Sequence, residues 1–250
     1  MIKADQFQNL PSKLILSFSS CDDGTMLDRA RGYHDTEIVR ARRTFCHENG
    51  VNYDNVVYQQ IMYDDHATYS LLAEADDRAT QKNTESLLAD GIYTKCPGVG
   101  ILLPVGDCIA TVLYDDTTKS LAMLHLGRHS TLTDLLSKTI RHFVSEGSDM
   151  ADIQVWMAPS VQRESYRLDY FSAQDDPHWQ PFIDRHNTGF FIDMQGYNRS
   201  VCERAGILPG NITISPIDTA TNDNYFSHSQ GDTAGRIAVV AMMLPDAAVV

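Results

Sequence analysis

Long apolar stretches are missing from this 250-residue chain. The longest uninterrupted one is Ile237 to Leu244, eight residues, against the roughly 20 that a membrane-spanning helix needs. Met1 to Leu10 is polar and carries no apolar leader core, so a cytoplasmic location is expected and no membrane partner. Basic residues are scarce: 20 Lys and Arg stand against 33 Asp and Glu, a formal net charge of −13. A surface this acidic repels phosphate backbones, which argues against general nucleic-acid binding but leaves room for a local cationic pocket. Paired cysteines are missing too. Cys21, Cys46, Cys96, Cys108 and Cys202 are odd in number and scattered, with no C-x-x-C pair. That pattern excludes a disulfide framework and fits free or metal-bound thiols in a reducing compartment. Walker, G-x-G-x-x-G, H-E-x-x-H and G-x-S-x-G motifs are all absent. Repeats, low-complexity tracts and Pro/Gly/Ser linkers are absent as well, so residues 1–250 read as one domain.

What is present is a succession of short apolar runs and amphipathic segments. Lys13–Ser20 and Val56–Ile61 read as strands. Asp35–Asn49 reads as a helix, with Ile38, Ala41, Phe45 and Cys46 at helical spacing and Asp35 or Thr36 as cap. Val99–Val105, Ile109–Tyr114 and Ser120–Gly127 are β-rich, and Asp115–Lys119 is a turn by composition. Leu132–Val144 reads as one amphipathic helix, with Thr131 and Asp134 at capping-box-like spacing. Ile153–Met157, Phe190–Asp193, Ile212–Ile217 and Arg236–Leu244 read as strands, and Gln195–Arg204 as a helix closed by Gly206. Hairpins mixed with helices predict an α/β (α+β) domain with mixed sheets.

The candidate chemistry lies around that central hairpin. A two-residue loop at Asp116-Thr117 would pair Asp115 with Thr118 and, further along both strands, Cys108 with His125. Residues opposed in this way have Cβ atoms roughly 5 Å apart. A thiol and an imidazole at that separation suit a shared metal ion or a thiolate–imidazolium pair. They equally suit a buried thiol beside a hydrogen-bonded core histidine.

Several ordered motifs then resemble one family. They are Ala89-Asp90-Gly91, Thr94, Pro97-Gly98, Gly106-Asp107-Cys108 and His125-Leu126-Gly127, followed by Ala158-Pro159-Ser160-Val161 with Tyr166, Phe191-Ile192-Asp193-Met194, Tyr225-Phe226-Ser227 and Thr233-Ala234-Gly235-Arg236. The series is similar to the laccase-domain family, also known as multicopper polyphenol oxidase, purine nucleoside phosphorylase or peptidoglycan editing factor. The resemblance implies a layered α/β/β/α fold and a zinc, or in some members copper, ion held by His, Cys and His. It further implies phosphorolysis of purine nucleosides or deamination of adenosine, with a small-molecule nucleoside and phosphate as partners. Cys108 and His125 carry over as two of the ligands, and Asp107 as a neighbouring catalytic candidate.

The departures are specific. Met62 stands where the family's first ligand histidine is expected, in Gln60-Ile61-Met62-Tyr63, and thioether sulfur suits Cu(I) better than zinc. His66, four residues on, is the candidate third ligand. Arg128-His129-Ser130 replaces the family's Trp-Arg-Gly, and His228-Ser229-Gln230 replaces an Arg-Arg pair. Arg128 and Arg236 are then the candidate phosphate or ribose binders. The sequence leaves three readings: a metal-dependent nucleoside enzyme, a non-catalytic binding protein of the same fold, and a metal-free cysteine hydrolase using Cys108 and His125. Oligomeric state is not legible.

Overall fold

The computed structural model describes residues 7, 10–62, 67–84, 86–187 and 189–245. Two mixed sheets lie face to face between helices. The five-stranded sheet runs β1 (Leu14–Phe18), β14 (Ile237–Met243), β6 (Gly100–Val105), β2 (Val56–Gln60), β4 (Leu87–Leu88). The six-stranded sheet runs β13 (Ile212–Ile214), β9 (Gln154–Met157), β7 (Ile109–Asp115), β8 (Ser120–Leu126), β5 (Gly91–Thr94), β3 (Leu72–Glu74). A small third sheet joins β10 (Arg167–Leu168), β12 (Gly189–Ile192) and β11 (Ile183–His186).

The layers follow from side-chain alternation. Leu16, Val57, Ile101, Leu103 and Val239 of the first sheet meet Ile92, Val112, Met123 and Trp156 of the second in one core. The opposite face of the first sheet, with Val56, Tyr58, Leu102 and Val240, packs on Phe45 and Cys46 of α1 (Thr36–Glu48). The opposite face of the second, with Leu113, Leu124 and Val155, packs on α3 (Leu135–Ser145) and α4 (Met194–Ala205). The strands β6, β7, β8 and β14 are buried along their whole length, which is why they read as continuous apolar runs. This is the expected α/β/β/α layering.

Local chemistry sets the helix ends. The Asp35 carboxylate accepts from the amides of Glu37 and Ile38 and caps α1. Gly206, at φ 103°, closes α4 in the left-handed conformation. The single helix expected over 132–144 is instead two, α2 (Arg128–Leu132) and α3. Thr133 Oγ1 binds the carbonyls of Tyr69, His129 and Ser130, and Asp134 takes φ 60° without making a side-chain cap. A hydroxyl that bonds nearby backbone competes with helix propagation. The strand β5 lies outside the segments whose pattern predicts strands, because Gly91-Ile92-Tyr93-Thr94 is too short to show a period. Among the described residues no helix is long and apolar enough to cross a membrane.

Candidate functional site

The central hairpin places the two candidate ligands, though not in the expected register. Asp115 pairs with Ser120, and Ala110, not Cys108, stands opposite His125. The loop is four residues long because Asp115 organises it: Oδ1 accepts from the Thr117 amide at 2.8 Å and Oδ2 from Thr118 Oγ1 at 2.9 Å. Lys119 completes the turn at φ 54°. Cys108 lies one residue before β7, next to Asp107, whose φ is 70°. The shift is two residues, an even number, so within the paired strands it preserves the face on which each side chain points; Cys108 lies outside that ladder.

The thiol and the imidazole still converge, around Gly127. A Cβ built on Gly127 would lie 3.2 Å from Cys108 Sγ, 3.3 Å from His125 Cε1 and 3.6 Å from His125 Nε2. Both potential donor atoms therefore border the small volume that a glycine leaves open. Two features hold the imidazole there. Asp90 continues the β5–β8 ladder opposite His125, its carbonyl accepting the His125 amide at 2.7 Å. Its Oδ1 lies 2.7 Å from His125 Nδ1, with the two side chains 1% and 5% exposed. A carboxylate on one ring nitrogen fixes the tautomer and the ring plane and raises the basicity of the other nitrogen. Ser130 Oγ donates to the His125 carbonyl and accepts from the Gly127 amide, tying the end of β8 to α2.

Around the thiol is a cavity of about 40 Å³ lined by Asp107, Cys108, Leu126, Gly127, Arg128, Val161, Tyr166 and Met194, among others. A single water needs roughly 10–15 Å³ of such space, so the cavity has room for an ion with a few waters. Burial pushes the Tyr166 phenol up to about 12, with the Cys108 and Asp107 charges acting in the same direction and Arg128 against it. Tyr166 is therefore a neutral hydrogen-bonding group at the edge of the site. Arg128, half-buried at the start of α2, brings one cation to the cavity.

The other candidates are placed as follows. Asp107 uses both carboxylate oxygens, accepting from Thr219 Oγ1 and from the Ser229 amide, each at 2.7 Å. Its carbonyl accepts the Val161 amide. It ties three loops together behind the thiol. Arg236 is buried and its guanidinium donates to the carbonyls of Asp232 and Gly235. It faces a different cavity from that of Cys108. His66 lies outside the described residues. Met62 is 39% exposed. Among the described residues no three His, Cys, Asp or Glu side chains gather as a metal-binding group. The donor chemistry nonetheless fits a metal. One thiol just before β7 and one carboxylate-oriented imidazole on β8 would make two ligands of a borderline-soft ion such as zinc, with a third from outside this set. Asp90 and Tyr166 were visible in the sequence only as parts of motifs. Their signal was position: Asp90 directly precedes the strand that neighbours the histidine strand.

Comparison with known proteins fits this geometry. The family described as multi-copper polyphenol oxidoreductase laccase matches residues 23–244. The chain belongs to this family. A purine nucleoside phosphorylase of Mus musculus is 33% identical over 147 residues, 56% of this chain and 34% of that protein. The chain thus spans about a third of that relative's length. An adenosine deaminase from an unknown prokaryotic organism is 22% identical over 191 residues, 71% of this chain and 70% of that protein. The crystal structure of the hypothetical protein YfiH of Bacillus licheniformis superposes with a TM-score of 0.79 at 18% identity, over 92% of both chains. That likeness shows the same fold.

Proposed function

We propose that this laccase-family chain is a metal-dependent enzyme acting on purine nucleosides, by phosphorolysis or by deamination of adenosine. The observation that carries the reading is the convergence of Cys108 and the Asp90-held His125 on the space beside Gly127. Cys108, His125 and, from outside the described residues, His66 would hold zinc or copper. When bound, such an ion supplies Lewis acidity or an activated water. The chain's own groups do the rest. Asp90 holds the His125 ring, Tyr166 offers a neutral hydroxyl, and Arg128 brings positive charge to the recess. The names of relatives in the family support the substrate class.

With the family's arginine positions replaced at 129 and 228–229, phosphorolysis should be slow. Each lost charge-assisted bond costs roughly 1.5–3 kcal/mol. The test is turnover of adenosine, inosine and methylthioadenosine, with and without phosphate, by the wild type and Cys108→Ala. Turnover lost in the variant supports the reading, and equal turnover by both proteins refutes it. A second reading has its own observation behind it. In space, the Asp90 carboxylate holds the His125 ring, which shares the volume beside Gly127 with the Cys108 thiol, a carboxylate–imidazole–thiol series like that of a cysteine hydrolase. Activity that survives complete chelation would favour that alternative.

A further inference from the structure

Asp90 holds His125 by one oxygen only. Oδ1 lies 2.7 Å from His125 Nδ1, while Oδ2, on a side chain 1% exposed, receives no hydrogen bond from the described residues. The aim of this carboxylate is therefore set by its backbone, from which the staggered rotamers fan out.

That backbone is clamped from outside its own sheet. Ala89 and Asp90 are the two residues that carry the chain from β4, at the edge of the first sheet, to β5 in the second. The peptide group between them is held at both ends. Its oxygen, the Ala89 carbonyl, accepts from Gln59 Nε2 at 2.9 Å, and its N–H, the Asp90 amide, donates to the Thr68 carbonyl at 3.3 Å. Fixing both ends of a planar peptide fixes its plane, and with it the direction in which the Asp90 side chain leaves the chain.

Gln59 reaches this peptide from the opposite layer. It lies two residues after Val57 on β2, so both side chains stand on the face that meets the second sheet, whereas Val56 and Tyr58 turn onto α1. On β8, His125 follows Leu121 and Met123 on the face that meets the first sheet. The bond to a carbonyl also settles how the Gln59 amide is turned: the nitrogen faces Ala89. Gln59 is 1% exposed, and its Oε1 receives no hydrogen bond from the described residues. A buried acceptor without a donor costs stability. An apolar side chain of similar size would remove that cost and lose only the Nε2 bond.

We propose that Gln59 is a positioning residue of the metal site: from the first sheet it fixes the Ala89–Asp90 peptide, and so aims the carboxylate that keeps the His125 ring in place beside Cys108. It supplies no ligand of its own and acts through Asp90. This role rests on the metal reading given above and extends the site across both sheets.

The test compares the wild type with Gln59→Leu, with Gln59→Met, which keeps the side-chain length, and with Gln60→Leu, on the opposite face of β2, as a control. Zinc affinity is read by competition with a chromophoric chelator. The ring N–H of His125 is read by proton NMR of the metal-free protein, where a hydrogen bond to a carboxylate shifts it far downfield. Thermal melting shows which variants are folded. The expected result is a zinc Kd raised roughly tenfold in both Gln59 variants, as for residues that orient a metal ligand, with the downfield resonance broadened or lost and both readouts unchanged in Gln60→Leu. A wild-type Kd in the folded Gln59 variants overturns the role of Gln59, while zinc binding that depends on Cys108 and His125 leaves the metal reading standing. A wild type that binds no zinc removes the metal reading. The resonance then decides the role alone: lost in both Gln59 variants, the aiming of Asp90 by Gln59 stands; unchanged in both, it falls.

Discussion

Gly127→Ala isolates the metal-site argument from the fold. Gly127 has φ −89° and ψ −177°, extended backbone that alanine adopts without strain. It is the N-cap of α2, where alanine is disfavoured relative to glycine, a cost that lowers the melting temperature of the metal-free protein and is read separately from metal affinity. The added methyl would stand 3.2 Å from Cys108 Sγ and 3.3 Å from His125 Cε1. Comfortable carbon contacts begin near 3.5–4.0 Å, so the thiol and the ring must each retreat by a few tenths of an ångström. The ring has little freedom, because Asp90 holds Nδ1 and β8 is buried along its length. Metal–ligand distances tolerate only about 0.2 Å. The expected loss of zinc affinity is therefore comparable with that from removing a residue that orients a metal ligand, roughly 10–100-fold. Competition with a chromophoric chelator measures it, and thermal melting of the metal-free protein checks the fold. Wild-type affinity in a folded Gly127→Ala protein would refute the convergence of these donors on one ion.

Other consequences are equally direct. Asp90→Asn keeps the shape but removes the charge at His125 Nδ1; metal affinity should fall roughly 10–100-fold, and unchanged affinity in a titration would show that the carboxylate does not support the site. Burial pushes the thiols of Cys46 and Cys202 up to about 12, so neither should react with a thiol reagent at pH 8 in the native protein, whereas both should react after denaturation. The same shifts give a pH dependence. The folded state keeps protons that unfolded thiols lose above about pH 9, so this contribution to stability is complete below pH 9 and declines as pH rises toward 12. Melting temperatures that stay flat across that window would contradict it.

Mixed sheets with helices were legible because the central strands are long, apolar and separated by clear turn residues; the layering followed from the resemblance to the laccase-domain family. The register of β7 and β8 was not legible. Composition marked Asp115–Lys119 as a turn, but the loop length was decided by the Asp115 carboxylate binding Thr117 and Thr118, a contact that residue types alone do not specify. The expected Cys108–His125 pairing across the strands was wrong, since Ala110 stands opposite His125; the two side chains meet instead around Gly127. The break between α2 and α3 was hidden for a related reason: the apolar stripe of Leu135, Leu136, Ile140 and Phe143 suits an uninterrupted helix, and only the Thr133 hydroxyl and the left-handed Asp134 stop it. Asp107 carried a family motif, yet its two oxygens are spent on Thr219 and Ser229. Arg236 was a plausible anion binder from sequence; in the structure it belongs to a cavity distinct from that of Cys108. The long-range partners of these side chains, far away in sequence, are what the sequence does not display.

The most direct test of the account is the zinc and copper content of the purified protein compared with Cys108→Ala and His125→Ala, each shown by circular dichroism to be folded. The account predicts a metal ion bound by the wild type and lost from both variants. Metal content unaffected by either substitution would contradict it.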